Sequence, residues 1–209
     1  MALCKAMQES GKHPDFITVD GGEGGTGAAP VEFSNSIGMP LREGLVYVHN
    51  CLTGYGLRDK VKVIASGKVV TGFDMATKIA LGADICNSAR AMMMALGCIQ
   101  ARRCNANDCP VGVATQKEWL VAGLDVDSKA VRVERFHAET MHSFKEILGA
   151  AGLSHPAQLG PQHIMRRVDS MHVKSYSEIY TFLERNALLT DPVPQAFESI
   201  WEEANSAAF

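Results

Sequence analysis

Apolar residues in the first hundred positions alternate between short β-branched runs and helical periods. A first run, Phe16–Val19, ends in Asp20-Gly21-Gly22, and a second, Val61–Ala65, ends in Ser66-Gly67. Both read as strands closed by tight turns. A third strand is predicted at Ala83–Asn87.

Helical patterns occupy the segments between and after these strands. One helix is predicted from apolar positions with a period near 3.6, namely Leu41, Leu45, Val48 and Leu52. Thr71 and Asp74 have the spacing of a capping box for a helix that ends at Gly82. Another helix is expected around residues 91–97, and residues 1–10 are expected to be the end of a helix.

Strand–helix repetition with short connections predicts an α/β fold with parallel strands, either a barrel or a doubly wound sheet. Only three βα units are visible, whereas a complete TIM (β/α) barrel has eight and takes about 250 residues. We therefore expect the carboxyl-terminal portion of a TIM barrel, in a chain that begins inside it.

The alternation stops after Cys109, and the tail is predicted to be helical. Residues 128–150 form a long amphipathic pattern, and Gln162–Arg167 is predicted to be a short helix. Two further helices are indicated by apolar residues at Tyr176, Ile179 and Leu183 and at Phe197, Ile200 and Trp201. We expect a barrel portion over residues 1–127 and a helical extension over 128–209 that packs on it.

Composition excludes some classes of partner. The formal net charge of −3 and the pI near 6.2 give no reason to expect nucleic acid or an anionic membrane. No apolar run approaches the roughly 20 residues needed to span a bilayer, and the first residues lack a secretory signal. The protein is expected to be cytoplasmic, where its six cysteines stay free or bind metal.

A glycine-rich segment, DGGEGGTGAAP, occupies residues 20–30. It contains a literal G-x-G-x-x-G after a strand, but Pro30 and an irregular stretch follow where a dinucleotide-binding helix should begin. The Rossmann interpretation therefore fails on context. The segment is predicted to leave backbone N–H groups free to approach a planar or anionic ligand, with a plain flexible loop as the alternative.

Two further loops share the chemistry of a phosphate site. Ser66-Gly67-Lys68 follows the second strand, and Ser88-Ala89-Arg90 follows the third at the start of a helix. In barrel enzymes the loops after the last two strands form the commonest phosphate site, and a helix start favours an anion. The first loop lacks the leading glycine of a Walker A motif. A pair of capped turns with surface charges is the alternative.

The most specific segment is GCIQARRCNANDCPVGVATQ, residues 97–116, with the spacing C-x5-C-x4-C. Three thiolates on one loop suit a metal cluster with three cysteine ligands, and Arg102 and Arg103 could offset its negative charge. Three unrelated thiols are one alternative. The other is a zinc site completed by His137 or His142. The run Met92–Met94 is interpreted as filling of a buried helix face.

Together, DGGEGGTGAAP, the segment from Met39 to Asp74 and the cysteine segment resemble the flavin-binding synthase domain of glutamate synthase, especially its shorter, single-domain relatives. The resemblance covers roughly residues 12–185. It implies a TIM barrel that holds FMN beside a 3Fe-4S cluster. By this likeness the cluster ligands are Cys98, Cys104 and Cys109, the phosphate of FMN lies among Ser66, Gly67, Lys68, Ser88, Ala89 and Arg90, and the loop near flavin and substrate includes Asp20, Gly24, Gly25 and Thr26.

The resemblance also implies a reaction: the cluster passes electrons to FMN, and 2-iminoglutarate, formed from 2-oxoglutarate and ammonia, is reduced to L-glutamate. The chain is thus expected to be an oxidoreductase acting on CH-NH2 donors, with an electron-donor protein and either self-association or a complementing chain as partners. No residue is identified as a general acid or base. The alternatives are a non-catalytic iron–sulfur fragment or electron-transfer subunit, and a phosphate-binding barrel enzyme with structural zinc.

Overall fold

The computed structural model of the protein describes residues 1–21, 29, 32 and 36–208. Its first part alternates helices with strands: α1 (Ala2–Ser10), β1 (Phe16–Asp20), α2 (Leu41–Gly54), β2 (Lys62–Ser66), α3 (Gly72–Ala80), β3 (Ile85–Asn87) and α4 (Arg90–Ala95). The predicted alternation is confirmed, with small differences at the element ends. No helix in the described ranges is both long and apolar enough to cross a membrane.

The three strands form one parallel sheet in the order β1-β2-β3. Phe16 pairs with Lys62 at one end of β1, and Asp20 pairs with Ser66 at the other. Ser66 also pairs with Asn87 of β3. Each described strand thus lies beside its neighbour in the chain, as successive units of a (β/α) barrel do. These strands form an open sheet and do not themselves close a barrel.

The two faces of the sheet differ in what covers them. Val19, Val63 and Ala65 are buried in the core with apolar residues of α2 and α3. Side chains alternate along a strand, so Phe16, Thr18 and Ile64 point to the opposite face. There Phe16 is 56% exposed and Ile85 49% exposed. The described part of the chain therefore covers one face and leaves apolar residues open on the other.

A charged cluster secures the amino-terminal ends of β2 and β3. The Arg58 guanidinium lies 2.9 Å from Asp84 and donates to the Gly82 carbonyl, also at 2.9 Å. The Asp84 carboxylate accepts the backbone N–H of Val63 at 2.7 Å, while Arg58 Nε donates to Nδ1 of His49 at 3.2 Å. These bonds connect the turn after α2 to both strands, so they stabilise the pairing of the strands.

The predicted capping box is confirmed at the start of α3. Thr71 Oγ1 accepts the N–H of Asp74 at 3.1 Å, and the Asp74 carboxylate accepts the N–H of Thr71 at 3.0 Å. α3 ends at Ala80, and Gly82 follows with a φ of 106°. A left-handed glycine just after a helix ends it at low cost, which explains why this helix stops before the predicted residue.

A long helix follows the cysteine segment and packs on α3 and α4. After α5 (Glu118–Val121), this helix, α6, runs over Val126–Ala150. A Cβ atom on Gly72 would lie 2.6 Å from the backbone nitrogen of Phe144. The absence of a side chain at Gly72 therefore lets the first turn of α3 approach the backbone of α6.

The predicted short helix at Gln162–Arg167 is wrong. A single 3₁₀ turn at Pro161–His163 leads into β4 (Met165–Arg167), which pairs antiparallel with β5 (Val173–Ser175). Asp169 makes the connecting turn, since its Oδ1 accepts the N–H groups of Met171 and His172 at 2.8 and 2.9 Å. An aspartate that binds the backbone two residues ahead favours a turn over a helix.

The helix predicted from Tyr176, Ile179 and Leu183 is confirmed only as α7 (Tyr176–Ile179). Asn50 of α2 stops it. This buried side chain, 1% exposed, donates to the Thr181 carbonyl at 2.8 Å and accepts the Leu183 N–H at 2.9 Å. The predicted last helix is confirmed as a 3₁₀ turn at Gln195–Phe197 followed by α8 (Glu198–Glu203).

Replacement of Asn50 by Ala should lower the free energy of unfolding by about 2–4 kcal/mol, because it leaves a backbone N–H and a carbonyl without partners. Urea denaturation measures the effect. Asn205→Ala is the matched control, since that exposed side chain bonds only its own turn at Ala207. If Asn50→Ala lowered the free energy of unfolding no more than Asn205→Ala, Asn50 would not be the residue that holds the segment after α7 in place.

His49 should make stability depend on pH. Burial, and next the neighbouring Arg58, lower the pKa of this imidazole to about 4 from an ordinary value of 6.5. The unfolded chain therefore takes up a proton below about pH 6.5, while the folded chain resists until about pH 4. Stability should fall as the pH drops through this window, by at most about 3 kcal/mol from this group.

Urea denaturation at several pH values between 4 and 6.5 tests this expectation. His49→Gln should flatten the profile relative to the original chain, whereas His142→Gln, on an exposed part of α6, should not. Equal slopes for the original chain and His49→Gln would show that the imidazole is not the group responsible.

Candidate functional site

The carboxyl-terminal ends of the three strands meet at one edge of the sheet. Asp20, Ser66 and Asn87 end β1, β2 and β3, and the register aligns them in one row. In open or closed parallel sheets this edge is where ligands bind, because the loops that leave the strands converge there. The strand pairing thus brings together loops that are far apart in the sequence.

A cavity of about 320 Å³, here called the edge cavity, lies at this row. Six of the predicted site residues line it: Asp20, Ser66, Gly67, Lys68, Ala89 and Arg90. Sequence reasoning missed its other lining residues, which are Val69, Val70, Asn87, Ala91 and Met94. Of these, only Asn87 carried a usable signal, as a polar residue at a strand end. The predicted residues Gly24, Gly25 and Thr26 fall outside the described residues.

Ser88 does not line the edge cavity but holds its two loops together. Its hydroxyl donates to the Val69 carbonyl at 2.7 Å, which ties the loop after β3 to the loop after β2. α4 begins at Arg90, directly after this bond. Ser88 therefore positions the loop, and its neighbours Ala89 and Arg90 face the cavity.

The loop after β2 has positive φ values and is held by a side chain of α3. Gly67 and Lys68 have φ values of 133° and 48°. The φ value of Lys68 costs a non-glycine residue about 1 kcal/mol or more, so surrounding contacts must hold the backbone in this conformation. The ammonium of Lys78, a side chain buried in α3, donates to the Lys68 carbonyl at 3.1 Å. This bond holds the Gly67–Lys68 turn at the wall of the edge cavity.

The three cysteines of the cysteine segment line one small cavity of about 20 Å³. Cys98 follows Gly97, which has a φ of 102°, and Cys104 begins a 3₁₀ turn over Cys104–Ala106. Cys98 and Cys104 are half-buried and Cys109 is 8% exposed. In the ranges that the structure describes, no three metal-ligating side chains are gathered closely enough to hold a metal ion. The thiols share a cavity without forming a finished coordination site.

The environment of Cys109 favours a thiolate. Burial raises the pKa of this thiol, but the field of nearby backbone N–H groups outweighs burial and brings the pKa below its ordinary value. These groups belong to Ala114, Val111, Val113 and Gly112. Cys98 accepts a hydrogen bond from the N–H of Gln100 at 3.4 Å. Thiolates and cluster sulfides are stabilised by such donors, so the chemistry of the segment fits an iron–sulfur cluster.

Acidic and polar residues fold the rest of the cysteine segment onto itself. Asp108 lies 3.0 Å from both Arg103 and Lys117. Asn107, with a φ of 55°, accepts the Gln116 N–H on its side chain at 2.6 Å. Arg103 is thus paired with a carboxylate. We therefore assign Arg103 a role in folding the loop, in addition to the predicted role of offsetting the negative charge of a cluster.

The histidines proposed for a zinc site do not line the cysteine cavity. His142 lies on α6 with Glu146 at 3.5 Å, and neither it nor His137 borders the space shared by the thiols. The described structure therefore gives the zinc interpretation no fourth ligand among these residues.

A third cavity, of about 300 Å³, lies between the edge cavity and the cysteine cavity. It shares Arg90 and Met94 with the edge cavity, and it shares Met93, Cys98, Arg102 and Cys104 with the cysteine cavity. Met94 is 45% exposed. The interpretation of these methionines as core filling is therefore wrong for Met93 and Met94, which line the passage between the two sites.

Residues 3–154 match the family model described as the conserved region in glutamate synthase. The chain belongs to the glutamate synthase family. It is 44% identical over 165 residues to the glutamate synthase large subunit-like protein YerD of Bacillus subtilis (strain 168). It is 41% identical over 140 residues to the archaeal glutamate synthase (NADPH) of Methanocaldococcus jannaschii, and 36% identical over 162 residues to the ferredoxin-dependent glutamate synthase 2 of a Synechocystis species.

These matches cover most of this chain but a small part of each relative. They include 79%, 67% and 77% of the chain, and 31%, 28% and 10% of the respective relatives. The matched part includes both strand-end loops and the cysteine segment. Both candidate sites therefore lie within the conserved region of the family.

Proposed function

We propose that the chain forms the flavin- and iron–sulfur-binding part of a glutamate synthase-type oxidoreductase. The observation that carries the proposal is a row of three neighbouring cavities that share lining residues, from the strand ends to the three cysteines. A redox enzyme needs its two cofactors close together, and Arg90, Met93 and Met94 line the space between the two candidate sites. The match over residues 3–154 spans both, so a non-catalytic iron–sulfur remnant is not favoured.

FMN would occupy the edge cavity, with its phosphate at the loops after β2 and β3. Support comes from the position of Gly67 and Lys68 in the cavity wall, where Lys78 holds their loop, and from the Ser88 bond that holds the second loop beside it. Ser66, Ala89 and Arg90 would complete the phosphate contacts. Asp20, with Gly24, Gly25 and Thr26, would border flavin and substrate. When bound, FMN would supply the electrons for reduction of an imine.

Cys98, Cys104 and Cys109 would hold a 3Fe-4S cluster. The supporting features are the shared cavity and the backbone N–H groups near Cys109 that lower its pKa. These donors stabilise negative charge on sulfur, and hydrogen bonds of this kind raise the reduction potential of a cluster. The chain's role would be to hold the thiolates, to exclude water from Cys109 and to keep the cysteine segment beside Met93.

The three βα units would be consecutive units of a TIM barrel whose other strands come from polypeptide outside these 209 residues. The open, partly apolar face with Phe16 and Ile85 supports this, because such a face is the interior of a closed barrel. Residues 1–127 would form the barrel portion. Residues 128–209 would form an extension packed on it through α6.

The reaction would form L-glutamate from 2-oxoglutarate and either ammonia or glutamine-derived nitrogen. Its electrons would come from a donor protein or a nucleotide-dependent partner. The reaction would take place in the cytoplasm. Among the described residues we assign none as general acid or base. In this assignment the described residues bind and orient the cofactors, and the substrate contacts lie largely on other strands.

Cys104→Ala should remove the cluster, because two thiolates cannot replace three ligands on a loop. Iron and acid-labile sulfide in anaerobically purified protein should fall to near zero. Cys86→Ala is the matched control: that cysteine lies in β3 and lines none of the three cavities described above. Retention of full iron content in Cys104→Ala would refute the ligand assignment.

The 209-residue chain alone should self-associate, since its sheet has open edges and an uncovered apolar face. Sedimentation velocity should show oligomers at micromolar concentrations. Ile85→Lys, on the open face, should reduce association, and Val126→Lys, an equally drastic change on exposed α6, should not. A monodisperse monomer of the original chain would count against an incomplete barrel.

A further inference from the structure

A polar cavity of about 350 Å³ lies on the other side of the loop after β2 and is called here the outer cavity. Gly67 and Lys68 line both it and the edge cavity, so this loop separates the two. Other walls come from three separate elements, with Arg42 and Glu43 on α2, Asp74 and Lys78 on α3, and Arg166 on β4. The proposed flavin site does not use this space.

Cations outnumber carboxylates around the outer cavity. Arg42, Lys68, Lys78 and Arg166 face two acids, and one of these, Asp74, is already engaged. Its Oδ2 accepts the N–H groups of Val70 and Thr71 at 3.2 and 3.0 Å, and its Oδ1 lies 3.6 Å from Lys78 Nζ. Glu43 is then the one lining carboxylate of this described cavity that is not committed to a helix cap.

The two guanidinium groups have no carboxylate partner within the described ranges. None of the ion pairs there includes Arg42 or Arg166. Arg42 lies 5.9 Å from the centre of the Tyr176 ring, which orients it. Arg166 stands opposite Lys174 across the β4–β5 hairpin, and like charges at such positions repel. An anion beside Arg166 would relieve that repulsion.

Lys78 adds a buried charge to this wall. It is 4% exposed, and its ammonium has two partners in the described structure, the Lys68 carbonyl and Asp74. An ammonium carries three N–H donors. Burial lowers the pKa of Lys78, Asp74 opposes that effect, and Arg42 adds to it, so that the pKa lies below its ordinary value. A bound anion would stabilise the charged form.

We propose that the outer cavity binds a small tetrahedral oxyanion of the phosphate class, at a site separate from the flavin phosphate. One guanidinium group can donate two parallel hydrogen bonds to two phosphate oxygens, and a lysine ammonium adds a point charge. Here two such groups and two ammonium groups, from four elements, surround one space that α2, α3 and the hairpin hold open. Inorganic phosphate and a phosphate monoester share this chemistry.

Titration of the chain with inorganic phosphate, followed by calorimetry at constant chloride, tests the proposal without flavin or cluster. Arg166→Ala and Arg42→Ala should each weaken binding about tenfold or more, because each removes a charge-assisted pair of bonds. Arg167→Ala is the matched control. It is the next residue of β4, does not line the outer cavity, and donates to the Ser170 carbonyl at 3.3 Å.

A second control separates the edge cavity from the outer cavity. Ala89→Asp places a carboxylate in the edge cavity and should suppress anion binding there, while the binding event that Arg166→Ala weakens should change by no more than about twofold. A parallel titration with glycerol phosphate distinguishes a monoester site, which binds it at least as well, from a site for the free ion. Circular dichroism confirms that each variant folds.

Three results would overturn the inference. The first is no phosphate binding below about 10 mM. The second is that Ala89→Asp abolishes binding while Arg166→Ala leaves it intact, and the third is that Arg167→Ala and Arg166→Ala weaken binding equally. Because the titration uses neither cofactor, its failure would leave the proposed oxidoreductase function untouched. Loss of the cluster in Cys104→Ala likewise says nothing about the outer cavity.

Discussion

The parallel pairing of β2 with both of its neighbours is the constraint on which the site depends. It places Asp20, Ser66 and Asn87 in one row and so fixes where three loops leave the sheet. A slip of β2 by one residue would send Ser66 to the opposite face and break this row. The Arg58–Asp84 cluster at the other end of β2 and β3 opposes such a slip, because Asp84 also binds the Val63 N–H.

The Asp74–Lys78 ion pair of α3 connects the fold to the site. Asp74 caps the helix and pairs with Lys78, whose ammonium in turn holds the Lys68 carbonyl. An ion pair with a buried partner such as Lys78 contributes little to stability by itself, since desolvation opposes the attraction. Its effect here is positional: it holds a left-handed lysine backbone between the edge cavity and the outer cavity. The packing of α6 against α3 through Gly72 keeps that helix in place.

Local signals predicted the βα part well. The capping box at Thr71 and the three strand runs depend on neighbours in sequence, and the two strand-end loops follow from parallel topology. The tail was harder to predict, because Asn50 ends α7 from 131 residues away and the hairpin strands are too short to show a period. Met93 and Met94 looked like core residues because apolar side chains give no sign of facing a cavity. The N–H donors around Cys109 depend on backbone shape, which no residue type reveals.

The proposed function depends most on the proposed iron cluster at Cys98, Cys104 and Cys109, beside the edge cavity. Electron paramagnetic resonance of anaerobically purified, mildly oxidised protein tests it most directly. A 3Fe-4S centre should give a signal of about one spin per chain, together with three cysteine thiols protected from alkylation. A silent spectrum from protein that instead contains zinc, or no metal at all, would contradict the account.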